Sequence, residues 1–200
     1  MIRMSRCIVV LTALLASAAL PSTTWAQTQL ATGKPTVFKV TVTKVELYNG
    51  TSFVTIFSGS SQLDLVTAAG EAAFPGISTL SLPTGTYSQI RVTFSNSFVM
   101  RGSLASAGTT YYTTATTLNG GTASQASTSA AAIADATIIN PDWGAAGAGV
   151  VQTIAITPVT ISAGGSYAPT LKFTVTNSLV LSTAGGIFFF TLAGVTVSIV

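Results

Sequence analysis

The sequence predicts an all-β protein: an antiparallel β-sandwich, with a β-barrel as the alternative. Three observations carry that prediction. Apolar and polar residues alternate through Val37–Phe57, Thr86–Phe94 and Leu171–Leu181, which is the period of a half-buried strand. Turn signals built from Gly, Pro, Asn and Ser recur about every ten residues. No stretch reads as a long amphipathic helix, and many short strands without helices point to sandwich or barrel architecture.

Residues 1–26 are expected to be a signal peptide. Arg3 and Arg6 supply the charged start, Cys7–Leu20 the apolar stretch and Thr24-Trp25-Ala26 a cleavage site. The apolar stretch is too short to span a membrane. Met4-Ser5-Arg6 ahead of Cys7 is not a lipobox, so no lipid anchor is expected. Residues 27–200 are expected to form a single domain, a length sufficient for a real core, with no transmembrane segment. Gln27–Pro35 reads as a short polar leader.

The chain is organised around VFKVTVTKVELYNGTSFVTIF, Val37–Phe57. Asn49 and Gly50, between two apolar runs, predict a two-residue type I′ hairpin turn, because they best tolerate the positive φ required at both central positions. That turn sets Tyr48 opposite Thr51, Leu47 opposite Ser52, Glu46 opposite Phe53 and Val45 opposite Val54. One face then carries Val45, Leu47, Val54 and Ile56, and the other Glu46, Tyr48, Phe53 and Thr55. Earlier in the strand the apolar positions are Phe38, Val40 and Val42, so the phase changes near Lys44. Either a bulge there restores one buried face, or the strand crosses between two sheets. Asn49-Gly50-Thr51 also matches a glycosylation sequon, but turn chemistry accounts for both residues.

Further along, Ser58-Gly59-Ser60-Ser61 reads as a loop and Gln62–Val66 as a short strand. Thr67–Gly76 is irregular, with a helical turn at Glu71–Phe74. Pro83-Thr84-Gly85 is a turn leading into the strand Thr86–Phe94. Phe98–Met100 extends the sheet past a kink at Ser95-Asn96-Ser97. Leu82–Gly85 lacks the spacing of a wall-sorting signal and sits mid-chain, so it reads as part of that turn. Residues 102–148 form a low-complexity Ala/Ser/Thr/Gly stretch, expected to be an insertion or long loops. Within it Thr109–Leu118 is compatible with a strand, Ala123–Ile138 with a short helix, a loop or a poorly ordered insertion, and Asn140–Gly144 with a turn exposing Trp143. Strands follow at Val150–Ile156, Val159–Ile161 and Leu171–Leu181, with turns at Ala163-Gly164-Gly165 and Ala184-Gly185-Gly186. Ile187–Leu192 and Val195–Val200 are expected to close the chain as a hairpin over Ala193-Gly194; their alternation favours buried strands over a membrane span.

Composition narrows the function. Charged residues make up 6% of the chain and the formal net charge is +3, against about a quarter charged in an ordinary soluble domain. Without Arg3 and Arg6 the balance falls close to neutral, and no basic patch points to nucleic acid. The chain has no histidine, and its one cysteine, Cys7, lies in the expected signal peptide. Residues 27–200 therefore offer no disulfide and no thiol chemistry. A surface of Ser, Thr, Asn and Gln is weakly self-repelling and suits close packing against copies of itself, a wall or a matrix.

Three segments together resemble a bacterial family of exported domains, the domain of unknown function numbered 4382. They are Val40–Leu47 with the Phe53–Ile56 strand; Leu63-Asp64-Leu65 with the run Leu82–Val92; and Leu171-Lys172-Phe173 with Ser178-Leu179-Val180. The Leu82-Pro83-Thr84-Gly85-Thr86-Tyr87-Ser88-Gln89-Ile90-Arg91 run is the most specific piece. Lys172 and Thr174 stand where the family tends to carry acids, and the central Ala/Ser/Thr stretch has no counterpart. The resemblance implies an exported sandwich-like domain of the cell envelope and supplies no catalytic residues.

Without His or Cys no usual nucleophile–base pair can be built, and zinc is disfavoured. A Ser–Lys dyad has no supporting motif. Carboxylates remain as a hydrolase alternative, with Asp64 and Glu71 close in sequence; Asp64, between Leu63 and Leu65, reads better as facing solvent or capping a turn. Calcium would draw on Asp135, Asp142 and Asn140, which show no regular acid spacing. Trp143, Tyr111 and Tyr112 are the candidate ligand platform for sugars, set against the simpler reading that Tyr111 and Tyr112 point to opposite faces of one strand. Arg91 reads as a cross-strand partner for Glu46 or as a contact for anionic partners. No cofactor is expected. The sequence is read as an exported, non-enzymatic domain of the periplasm, cell surface or extracellular space. Its expected role is structural, adhesive or in assembly, through edge-strand self-association or binding to surface and matrix components. A carbohydrate- or calcium-binding β-sandwich module is the alternative.

Overall fold

The computed structural model describes residues 27–66, 71–73, 82–139, 149–163, 170–192 and 196–199. The strands are β1 (Thr28–Gly33), β2 (Val37–Tyr48), β3 (Phe53–Asp64), β4 (Glu71–Ala73), β5 (Gly85–Phe94), β6 (Ser97–Arg101), β7 (Ser103–Ser106), β8 (Thr109–Leu118), β9 (Ala123–Ser127), β10 (Ala136–Ile139), β11 (Val150–Ile161), β12 (Thr170–Thr174), β13 (Leu179–Ala184), β14 (Ile187–Leu192) and β15 (Thr196–Ile199). Every strand pair described is antiparallel. The fold is all-β.

The main sheet is built on β2. One edge of β2 meets β3; the other meets β5 and β6, which act as a single strand broken at Ser95-Asn96. Beyond them lie β11, paired with β5, and β10, paired with β6. The second sheet runs β1-β13-β14-β9-β8-β7. It curls until its edges approach: a Cβ at Gly33, ending β1, would sit 2.5 Å from Leu104 Cδ2 on β7, and the sheet is nearly barrel-shaped. A third sheet runs β15-β12-β4.

The phase change in β2 resolves as a bulge. Val42 pairs with Phe94 and Lys44 with Thr93, which leaves Thr43 extra. Thr43 Oγ1 donates to the Thr93 carbonyl at 3.1 Å. Val40, Val42, Val45 and Leu47 all end up buried on one face with Ile90, Val92 and Ile154. A second core joins the two large sheets: Met100, Ala136 and Ile138 from the main sheet pack with Leu179, Leu181 and Phe190. In β11 the register slips between Ala155 and Val159. Pro158 lies in that gap and can donate no ladder hydrogen bond, and β11 is an edge where this is tolerated.

Several expectations need correction. The β2–β3 hairpin exists, but its register is Tyr48 opposite Phe53 and Leu47 opposite Val54. Gly50 alone has positive φ, at 92°. Asn49 N donates to Ser52 O at 3.1 Å, and Asn49 Oδ1 accepts from Thr51 N and Ser52 N at 3.0 and 2.9 Å. The connection is thus a four-residue Asx turn, because the Asn side chain competes successfully for the loop amides. A two-residue shift preserves the faces, since the side-chain period is two. Ser58–Ser61 is not a loop; β3 continues through it against β2. Glu71–Ala73 is strand, not a helical turn.

Residues 102–139 are not long loops. They supply β7, β8, β9 and β10. Thr and Tyr in Thr109–Leu118 are good strand formers, and a tightly curled sheet leaves little interior room, so the buried Thr113, Ala123 and Ser124 must be small. Composition that resembles low complexity is what such a sheet requires. Leu171–Leu181 is divided into β12 and β13, which belong to different sheets. The expected terminal hairpin does not form either. Gly185-Gly186 joins β13 to β14, whose other edge is taken by β9, and β15 pairs with β12.

Ala107 occupies the left-handed region at φ 48° in the two-residue turn between β7 and β8, where Ser106 opposes Thr109. That conformation costs a residue with a Cβ roughly 1 kcal/mol. Ala107→Gly is therefore expected to raise stability, or leave it level once the added chain entropy of glycine is subtracted. Ala107→Val is expected to lower it by more than 1 kcal/mol, on the order of what β-branching adds at such a site. Urea midpoints of the two variants check both.

Candidate functional site

The densest chemistry lies on the face of the main sheet away from its core. Lys44 and Glu46 share that face of β2, two residues apart. Arg91 stands directly opposite Glu46 on β5, and Thr55 opposite it on β3. Arg91 Nε donates to Glu46 Oε2 at 2.7 Å, and Lys44 Nζ lies 2.7 Å from Oε1. The Arg91 guanidinium also sits 3.8 Å above the Phe53 ring. It therefore reaches from β5 across β2 to β3 and covers the carboxylate beneath it. Phe53 in turn packs against Tyr48 at 5.1 Å between ring centroids, and the Tyr48 hydroxyl donates to Gly50 O at 2.9 Å.

Glu46 is 4% exposed although it is on the outer face. Its hydrogen bond from Arg91 is the largest influence on its acidity, outweighing desolvation and reinforced by Lys44, and holds the carboxyl down at about 2. The same bond pushes the Arg91 guanidinium up. A carboxylate so firmly ionised is a structural anion. It has no proton to donate as a general acid near neutrality.

The other described acids are also engaged. Asp135 Oδ1 lies 3.3 Å from Arg101 Nε, and its Oδ2 lies 4.0 Å from Lys39 Nζ, an exposed arrangement of small energetic weight. Asp64 Oδ1 accepts from Val66 N at 3.1 Å and Phe38 N at 3.3 Å, capping the turn after β3. Asn140 and Asp142 lie outside the described residues, and of Glu71 only the backbone is described. Among the described residues no group of three His, Cys, Asp or Glu side chains is placed to hold a metal ion.

Tyr111 and Tyr112 are adjacent in β8 and face opposite sides. Tyr111, half-buried against the second core, stacks on Phe188 at 4.7 Å with 20° between ring planes. Tyr112 pairs with Ser103 and Ser127. Trp143 lies outside the described residues. The sequence offered Glu46 as one cross-strand partner for Arg91, and the β2–β5 register places the two opposite each other. The roles of Lys44 and Phe53 were not readable, although Lys44-x-Glu46 at strand spacing is the signal that locates the first.

Buried polar residues were missed altogether. Thr113 is fully buried: its Oγ1 accepts from Gly102 N at 3.1 Å and donates to Ala134 O at 3.0 Å. Ser124 Oγ donates to Thr114 O at 2.8 Å and accepts from Thr114 N at 3.1 Å, replacing the ladder where the β8–β9 register breaks between Thr113 and Thr117. Among the described residues no helix is long and apolar enough to cross a membrane. Comparison with protein-family models, with curated proteins and with solved structures finds no match for this chain.

Proposed function

We propose that this chain is an exported, non-enzymatic domain with a structural, adhesive or assembly role at a bacterial cell envelope or in an extracellular matrix, and that it associates with copies of itself through the open edge of β3. The observation that carries this reading is β3 itself. It runs 12 residues and pairs, among the described residues, only with β2. From Phe53 to Leu63 it holds no charge and no proline, and Thr55, Ser58, Gly59, Ser60 and Gln62 are exposed. Natural edge strands are normally blunted by Lys, Pro, brevity or a bulge; β3 is bulged twice against β2, opposite Val42–Lys44 and Val45–Glu46, but it is long and carries neither Lys nor Pro, and an edge of that kind is a template for strand addition.

The other edges of the main sheet are protected by features that β3 lacks: β11 by Pro158, which lies in its register gap, and β10 by its length of 4 residues. The leader strand β1 is used within the chain, paired with β13. The signal-like residues 1–26 and the resemblance to exported envelope domains support the location. The structural commitments of Glu46, Asp64 and Asp135 support a non-enzymatic role.

Light scattering and negative-stain microscopy of residues 27–200 test the assembly. Concentration-dependent oligomers or filaments are expected, and Ser58→Lys with Ser60→Lys is expected to return the protein to monomer without lowering its unfolding midpoint. A wild-type protein that stays monomeric at every concentration, or a doubly substituted one that assembles equally well, removes the reading.

A further inference from the structure

The β2–β3 turn joins a reactive dipeptide to an unusual set of hydrogen bonds. Asn49 Oδ1 accepts two backbone N–H groups, Thr51 N at 3.0 Å and Ser52 N at 2.9 Å. Donors aimed at a carbonyl oxygen withdraw charge from its carbon and hold the negative oxygen that forms when that carbon is attacked. The nearest nucleophile is Gly50 N. Gly50 has no side chain to shield that nitrogen, and it donates no hydrogen bond among the described residues. Gly50, Thr51 and Ser52 are exposed, so water reaches the turn.

We propose that Asn49 is a self-modification site, at which the folded turn promotes loss of the side-chain amide through a cyclic imide. Gly50 N gives its proton to water or hydroxide and forms a bond to Asn49 Cγ. The carbonyl electrons move to Oδ1, where the Thr51 and Ser52 amides hold them. Their return breaks the Cγ–Nδ2 bond, and the nitrogen leaves as ammonia after taking up a proton. Water then opens the ring. Cleavage of the new Gly50 N–Cγ bond gives aspartate at 49; cleavage of the original peptide bond routes the backbone through the former side chain and gives isoaspartate. The net reaction is amide plus water to carboxylate plus ammonium, with no redox change.

The chain carries its own comparison. Asn119-Gly120 is the same dipeptide in an exposed turn. There the Asn119 backbone carbonyl, not the side chain, accepts the local bonds from Thr122 N and Oγ1. Asn119 therefore has the nucleophile without the two donors on the amide oxygen.

The products differ in consequence. Aspartate at 49 keeps an acceptor for both amides and adds a negative charge. Isoaspartate adds a carbon to the main chain of a loop whose length sets Tyr48 opposite Phe53, and so loosens the aromatic contact that shelters Arg91.

The test is timed peptide mapping of the full chain in oxygen-18 water at mildly alkaline pH, in buffer and in urea. In the folded protein Asn49 is expected to convert roughly tenfold faster than Asn119, a modest share of what one oxyanion donor contributes in an enzyme. In urea the two rates are expected to converge. Folded-state conversion at Asn49 no faster than at Asn119, or slower than in urea, overturns the proposal. Asn49→Asp supplies the product standard, and Gly50→Ala is expected to suppress the reaction; the buffer-against-urea comparison decides the matter even if that variant folds poorly.

Discussion

Glu46→Gln is expected to lower stability by about 3 kcal/mol at neutral pH, because it leaves two cations over a buried amide that neutralises neither. Lys44 and Arg91 converge on that one carboxylate at 2.7 Å each. The pH dependence gives the sign. Glu46 ionises at about 2 in the fold against an ordinary 4.5, so the folded state binds fewer protons than the unfolded chain between those values. Its stabilisation is complete above the ordinary value and fades as pH falls toward 2. The difference between wild type and Glu46→Gln is therefore expected to be largest at pH 7 and to shrink through the acid range. Urea unfolding at a series of pH values measures it; a gap that does not change with pH would show that shape rather than charge is responsible. Arg91→Lys keeps the charge but loses the planar group that lies over Phe53, and an intermediate loss is expected.

Thr113→Val is expected to cost about 2–3 kcal/mol, since an isosteric side chain leaves the buried Gly102 N and the part-buried Ala134 O without the hydroxyl. The hydroxyl serves Gly102 N and Ala134 O, while the Thr113 backbone bonds the same two residues through Gly102 O and Ala134 N. One residue of β8 thus ties the link between β6 and β7 to the segment entering β10. Thr113→Ser keeps the hydroxyl and loses a methyl, for about 1 kcal/mol. Equilibrium unfolding of both variants separates the terms: if serine costs as much as valine, packing and not the hydroxyl governs the site. Hydrogen exchange at the Gly102 amide gives a second readout, with protection expected to fall in the valine variant alone.

The parts of the fold legible in the sequence are those where one face is apolar and the other polar. β2, β5 and the faces of the first hairpin have that character; the phase change near Lys44 marked the place of the bulge, although a crossing between two sheets fitted it equally. The turn was legible in position but not in type, because turn statistics describe backbone preference while the Asn49 side chain decides which amides it captures. β8 was legible with its bounds, Thr109–Leu118, whereas its neighbours β7 and β9 were illegible for a physical reason: inside a narrow curled sheet, Ser and Ala take many of the places of the large apolar residues that announce a strand. The terminal pairing failed because adjacency in sequence is only a prior, and β9 competes for the same edge of β14. At the charged face, opposite charge on two strong strands suggested Glu46 as a partner for Arg91, whereas the reach of Arg91 to Phe53 depends on a third strand that no local pattern brings near.

The pairing of β1 with β13 sets a condition on how the chain reaches this state. Thr28 lies against Thr183 and Gly33 against Leu179, so the first described strand must wait for nearly the last. Closing so long a loop costs entropy before any ladder bond rewards it, and folds rich in such distant pairs form slowly, in milliseconds to seconds. A nascent chain cut short before Leu179 has no place for β1. Were the chain exported as proposed, that delay would keep it unfolded during passage through a translocation pore, because the contact between β1 and β13 is made only when both strands are on the same side.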